Sequence, residues 1–382
     1  MDNSLMLSML KRSLSPIEVV SGIDTLRRLQ TLPIGKALLV TGSSSHTLGF
    51  FDRAMDLLQK GGNVPESVTL EAEEPTISLV HVVADQMRSV KPKWIIALGG
   101  GRVMDVTKLA WANYEHEELD FSCPPPLKIP PFKQKAKLIA IPTTSGSGAE
   151  ASQVAVLKNE TDGSILPYVS PEWIPEIVIL DPRLTIELPP VLTAHTGMDA
   201  LSHAVESYVS RLSGRYVQIN SASALRLILE SLPIVYSKPD DLSARENMMV
   251  ASYLAGLCQS SASTGLAHAL THASTAIIGS SHGAGNALFL FPSMCLNKKK
   301  NNMPFLSLAK DSGYDLNELF ASIQELIAIL SLPKNLSDIS RVVMNLSVCS
   351  DIAEKAMKDV CMRTNPQKLH DNDVISLLEA LA

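Results

Sequence analysis

The feature that most constrains this chain is an alternation, up to Leu180, of short apolar runs with stretches of helical periodicity. KALLVT (Lys36–Thr41), SVTL (Ser67–Leu70), WIIAL (Trp94–Leu98), KLIAI (Lys137–Ile141) and EIVIL (Glu176–Leu180) read as buried strands. Between them, FFDRAMDLLQKGG and TISLVHVVADQMRSV place apolar residues at helical spacing. Strand–helix alternation predicts a parallel sheet with helices on its faces. Ligands on such sheets bind at the carboxyl ends of the strands.

The pattern ends in two breaks. CPPPLKIPPF (Cys123–Phe132) is expected to be an extended loop, because proline removes a donor and fixes φ. DPRLTIELPP (Asp181–Pro190) follows the last apolar run. From Thr193 to Ala382 the apolar periodicity is helical, with few strand-like runs. An α/β domain over residues 1–182 and an all-helical domain over 183–382 are therefore expected, in line with a length of 382 residues. The chain shows no internal repeat, coiled coil or low-complexity tract.

Several classes of function are disfavoured. Lys+Arg 33 against Asp+Glu 39 leaves a formal charge of −6, with no basic excess to follow a phosphate backbone, so no nucleic-acid partner is expected. The run Lys298–Lys300 is read as a solvated turn. The N-terminus lacks the basic start, apolar stretch and cleavage site of a secretory signal, and no apolar run reaches the roughly 18 residues of a membrane span. Five cysteines (Cys123, Cys258, Cys295, Cys349, Cys361) without CxxC spacing argue for a reducing, cytoplasmic setting.

Two kinds of motif carry chemistry. In TGMDALSHAVESYVS, Asp199 and His203 are one helical turn apart and share a face. His268 lies in GLAHALTHAST and His282 in SSHGAGNALFL. Three imidazoles and a carboxylate suit Fe(II) or Zn(II) and do not suit Mg or Ca. Spacing alone does not join His203 to His268, and His268 with His272 equally fits a pair of buried, hydrogen-bonded histidines.

The second kind is the glycine-rich turn. GGGRVMDVTK (Gly99–Lys108) runs from strand to glycines to helix, a geometry that lets backbone approach a phosphate at a helix N-terminus. PTTSGSGAE (Pro142–Glu150) and TGSSSH (Thr41–His46) follow other strand ends, where two such turns can line a dinucleotide groove. A plain structural turn is the alternative for each.

Taken together, these segments resemble the iron-containing (group III) alcohol dehydrogenase family, from about Val40 to CMRTNP (Cys361–Pro366). GGGRVMDVTK is similar to the family's GGGSxxDxAK, and PTTSGSGAE to its PTTxGTGSE. The stretch ILDPRLTIELPPVLTAHTGMDALSHAVESYVS and the histidine spacing in GLAHALTHASTAIIGSSHGAGNALFLFP follow the family pattern. The resemblance implies a dehydroquinate synthase-like architecture: an N-terminal dinucleotide-binding α/β domain with a parallel sheet, and an all-α metal-binding domain. It implies Asp199, His203, His268 and His282 as ligands of Fe(II), with zinc possible. His272 corresponds to a further histidine near nicotinamide and substrate. Gly99, Gly100, Gly101 and Asp105 correspond to the pyrophosphate turn; Thr143, Thr144 and Ser147 fall in the second cofactor loop.

Departures from the pattern are informative. Arg102 stands where the family usually has Ser, Ser147 and Ala149 replace Thr and Ser, and Ala273 stands where Pro often follows the histidine. Gln259 replaces an aromatic that often lines the substrate pocket. Gly42 replaces an Asp that accepts the ribose hydroxyls and repels a 2′-phosphate. Gly42 followed by Ser43, Ser44 and Ser45 removes that charge and offers hydroxyl donors, so NADP is expected to be tolerated, or even preferred, alongside NAD.

The activity implied is interconversion of a small primary alcohol or diol with its aldehyde, by an enzyme that is at least a homodimer. His272 is a candidate proton relay. Two alternatives are a dehydroquinate-synthase-like lyase, which would need a basic cluster that the helical half lacks, and a non-catalytic scaffolding member.

Overall fold

The computed structural model describes residues 13–71, 75–121, 129–159 and 165–382. The N-terminal stretch and Cys123–Lys128 of the proline-rich segment lie outside these residues. Among the described residues, Leu14–Glu187 form one compact unit, and Leu188–Ala382 together with Ser13 form the other.

The first unit is built on a parallel sheet. Its strands are β1 (Glu18–Ser21), β2 (Lys36–Gly42), β3 (Val64–Leu70), β4 (Trp94–Gly99), β5 (Lys137–Pro142) and β8 (Ile177–Leu180), in the order β1-β8-β5-β4-β2-β3. Every pairing in it is parallel. The inner strands β4, β5 and β8 are buried almost throughout, which is why they are continuous apolar runs rather than alternating ones. Helices α1 (Ser44–Thr47), α2 (Phe50–Lys60), α3 (Ile77–Val90) and α4 (Gly101–Glu115) connect the strands. Leu39, Ile96, Ile139 and Ile179 on one face pack with Leu26, Leu29 and Leu58.

Three features depart from the sequence expectation. β3 begins at Val64, through Pro65, because it is an edge strand in the described sheet, where a missing N–H is tolerated. β1 is a four-residue strand on the opposite edge. A separate antiparallel hairpin, β6 (Val154–Lys158) with β7 (Ile165–Val169), was not expected.

The second unit is helical: α5 (Pro190–Val209), α6 (Arg215–Ser237), α7 (Leu242–Ala262), α8 (Leu266–Ile278), α9 (His282–Lys300), α10 (Met303–Ser312), α11 (Leu316–Ile329), α12 (Leu346–Lys358) and α13 (Asp371–Glu379). Pro190 starts α5 at the position where a missing N–H costs nothing. Met198, Leu201 and Val205 of α5 pack with Leu225 and Ile228 of α6 and Met248 of α7. Leu266 and Leu270 of α8 join a second core with Cys349 and Ile352 of α12. Lys298–Lys300 form the last turn of α9 rather than a free turn, where cations favour the helix dipole; Lys298 also lies over the Phe320 ring and Lys300 pairs with Asp373. No helix among the described residues is long and apolar enough to cross a membrane.

Candidate functional site

In the α/β unit, three strand ends bring the glycine-rich turns together. β2 lies between β3 and β4, and β4 pairs with β5, so Gly42, Gly99–Gly101 and Thr143–Ser147 all emerge at the carboxyl edge of neighbouring strands. The packing leaves little room for side chains, least of all at Gly99. A Cβ on Gly99 would meet Val103 Cγ2 at 2.5 Å, and one on Gly101 would meet Ser147 Oγ at 2.9 Å. A Cβ on Gly100 would stand 3.4 Å from Thr144 Oγ1. The Thr143 N–H donates to the Gly99 carbonyl, which ties the two turns (3.1 Å). Gly100 precedes the first turn of α4, whose unpaired N–H groups suit an anion. Ser43 follows Gly42 at the exposed start of α1 and makes no cap hydrogen bond.

Asp105 is placed differently from the glycines. Its carboxylate accepts the Val156 N–H, and burial raises its pKa against the pull of Lys108. The Lys108 ammonium, fully buried, donates to the carbonyls of Ala149 (2.6 Å), Ser152 (2.7 Å) and Val154 (3.0 Å). The pair thus braces the second loop and the β6–β7 hairpin from α4.

In the helical unit, Asp199 Oδ1, His268 Nε2 and His282 Nε2 converge. The oxygen is 3.7 Å from His268 Nε2 and 3.4 Å from His282 Nε2. His203 stands beside them, with Nε2 3.9 Å from Asp199 Oδ1 and its ring stacked on His268 at 4.6 Å. Asp199, His203 and Glu206 share one face of α5, opposite Met198, Leu201 and Val205. His268 lies in the first turn of α8, and His282 opens α9 next to its capping Ser281.

Asp199 places one negative charge among the three imidazoles. Burial opposes ionisation of Asp199, but the imidazoles of His203 and His282 outweigh it and hold the carboxyl well below its usual range. Burial pushes His203 down to about 4, keeping its ring neutral and able to donate a lone pair. His268 is pushed up to about 9, because Asp199 and Glu206 outweigh its burial.

Asn286, one turn after His282, reaches in among the ligand atoms. Its Nδ2 donates to Asp199 Oδ1 (2.7 Å) and faces His282 Nε2 (3.1 Å) and His268 Nε2 (3.3 Å). One amide nitrogen thus sits among three candidate ligand atoms and donates to the carboxylate oxygen. His203 Nδ1 is buried with no hydrogen-bond partner among the described residues. A set of one carboxylate and three imidazoles fits a divalent transition metal.

Three further residues were not singled out in the sequence. Glu206 Oε2 accepts from His268 Nδ1. Asp359 Oδ2 pairs with His272 Nδ1 at 3.0 Å, and Asn286 joins the ligand atoms. The His272 ring stacks on His282 at 5.6 Å. Only Glu206 left a signal: it lies on the same helical face as Asp199 and His203.

Residues 16–182 match the family described as "Iron-containing alcohol dehydrogenase", and residues 193–382 match "Fe-containing alcohol dehydrogenase family, C-terminal". The chain is 32% identical over 376 residues to an NADPH-dependent butanol dehydrogenase of Clostridium saccharobutylicum, covering 96% of each. Its structure is similar to the iron containing alcohol dehydrogenase from Thermococcus thioreducens, with TM-score 0.89 and 28% identity over 97% of this chain and 99% of that one. It is also similar to sulfoacetaldehyde reductase from Bifidobacterium kashiwanohense in complex with NAD+, with TM-score 0.87 and 27% identity over 98% and 99%.

Proposed function

The chain belongs to the iron-containing alcohol dehydrogenase family of oxidoreductases, and on that basis we propose that it interconverts a small primary alcohol or diol with its aldehyde, using NAD or NADP. The observation that carries this reading is the convergence of Asp199, His268 and His282 about one amide nitrogen, with His203 alongside.

In this reading residues 1–182 bind the dinucleotide and residues 183–382 hold the metal. Asp199, His203, His268 and His282 are the ligands, and Fe(II) is the expected ion. The bound metal supplies Lewis acidity to the alcohol oxygen, and the nicotinamide supplies the hydride acceptor. The protein's own work is positional. Asp199 contributes the one formal negative charge among the ligands. Glu206 holds the His268 ring at Nδ1, so that Nε2 faces inward. Asp359 holds His272 in the same way, leaving its Nε2 to accept a proton from the alcohol. Gly99, Gly100 and Gly101 let backbone approach the pyrophosphate, with Thr143, Thr144 and Ser147 on the neighbouring strand end.

The test is the initial rate of NAD(P)H formation with a panel of primary alcohols and diols. The protein is prepared anaerobically, chelated, and reloaded with Fe(II) or Zn(II). Activity that vanishes on chelation and returns with one metal is expected, and Asp199→Ala and His282→Ala should retain no stoichiometric metal. Full turnover at background metal content would overturn the reading.

A further inference from the structure

The dehydrogenase reading leaves open how the chain treats the one group that separates NADP from NAD, the adenosine 2′-phosphate. We propose that Arg102 receives that phosphate and makes NADP(H) the preferred cofactor; the inference rests on the nicotinamide-linked reading above.

The argument starts from strand order. β2 and β4 are adjacent and parallel, with Thr41 opposite Leu98. Whatever follows β2 therefore lies beside whatever follows β4. Gly42 ends β2, and Arg102 is the second residue of α4. The juxtaposition is close: Arg102 Nη2 is 3.2 Å from where a Cβ on residue 42 would stand. The guanidinium thus lies over the strand end, at the carboxyl edge where a dinucleotide's ribose is read.

Gly42, Ser43 and Ser44 favour an anion there. Gly42 brings no carboxylate; an acid in its place would lie against Arg102 and oppose the phosphate. Exposed Ser43 and Ser44 follow, and the Ser43 hydroxyl is not spent on capping α1. A phosphate monoester carries nearly two negative charges at pH 7 and three acceptor oxygens. Arginine is the side chain whose rigid fork matches it, and it stays charged at every working pH. In dinucleotide folds an acid at this point goes with NAD, and a nearby arginine with the 2′-phosphate. The competing reading is that Arg102 is held by a partner within the protein and merely covers the end of β2.

Binding distinguishes the two without turnover. The dissociation constants of NADPH and NADH are measured by cofactor fluorescence on the purified full chain, with 2′,5′-ADP and 5′-ADP as competitors. Wild type is expected to bind NADPH at least about tenfold more tightly than NADH, and 2′,5′-ADP more tightly than 5′-ADP. Arg102→Ala should weaken NADPH by about ten- to a hundredfold and NADH by less than about threefold; Arg102→Lys should retain part of the preference. Gly42→Asp should weaken NADPH selectively. A thermal melt of each variant controls for folding. Equal binding of the two dinucleotides by wild type, or an Arg102→Ala variant that loses both equally, overturns the inference and leaves the dehydrogenase reading standing. Binding of neither overturns both.

Discussion

Glu206 Oε2 lies 2.6 Å from His268 Nδ1, and the same carboxylate accepts the backbone N–H groups of Ala267 and His268. One buried side chain on α5 thus closes the N-terminus of α8 and sets the orientation of a ring that α8 carries. The start of that helix and the direction of His268 Nε2 are therefore coupled.

Glu206→Gln keeps the shape and the backbone acceptor but presents an amide to His268. Metal affinity, measured by competition with a chromophoric chelator, should fall by about ten- to a hundredfold. Glu206→Ala also strands buried N–H groups and should lower stability by about 2–3 kcal/mol in chemical unfolding. Wild-type metal affinity in Glu206→Gln would refute an orienting role.

Asp359→Asn breaks the Nδ1 contact that selects the His272 tautomer. The expected result is a kcat lower by about tenfold or more, with KM for the alcohol nearly unchanged and the pH profile displaced. Burial opposes the charge on Asp359, but His272 outweighs it and holds the group below 3.8. Its stabilisation is therefore present above 3.8 and lost as pH falls through the lower folded value. Acid unfolding of Asp359→Asn should lack that contribution. An unaltered pH–rate profile would leave Asp359 with a packing role only.

Gly99→Ala places a methyl 2.5 Å from Val103 Cγ2 and 2.7 Å from Val103 Cβ. Val103 is buried and β-branched, so it has little room to turn. The variant should lose about 1–3 kcal/mol in thermal or chemical unfolding. Adding Val103→Ala should recover part of that loss in a double-mutant cycle. Failure of the second change to help would place the strain elsewhere.

Glu150 is buried, and that burial pushes it up to about 7, against its own backbone N–H and Lys108. A raised carboxyl favours folding while protonated. Its contribution is full below 4.5 and is lost as pH rises through about 7. At about 1.4 kcal/mol per pKa unit, the cost at pH 8 is on the order of 3–4 kcal/mol. Glu150→Gln should therefore flatten the melting temperature between pH 5 and 8. A profile identical to wild type would show that Glu150 is solvated.

Much of the architecture was legible because it is local. The runs at Trp94–Leu98, Lys137–Ile141 and Glu176–Leu180 announced inner strands, since a strand covered on both faces is apolar at every position. Edges were harder to read. Pro65 hid the start of β3, because proline is compatible with a strand only where no neighbour needs its N–H. β1 is too short to show a period, and β6 and β7 are half-buried strands of a hairpin outside the main sheet.

The candidate site divides along the same line. Sequence by itself determined which residues share a helical face, Asp199 with His203, and which turns could hold glycines, because both follow from repeats and dihedral preferences within a few residues. Tertiary structure alone decided that His268 and His282 meet Asp199, that Asp359 finds His272, and that Arg102 lies over Gly42. Those meetings depend on how α5, α8 and α9 pack and on the order of β2 beside β4. Such contacts join residues far apart in the chain, and no periodicity within one segment records them.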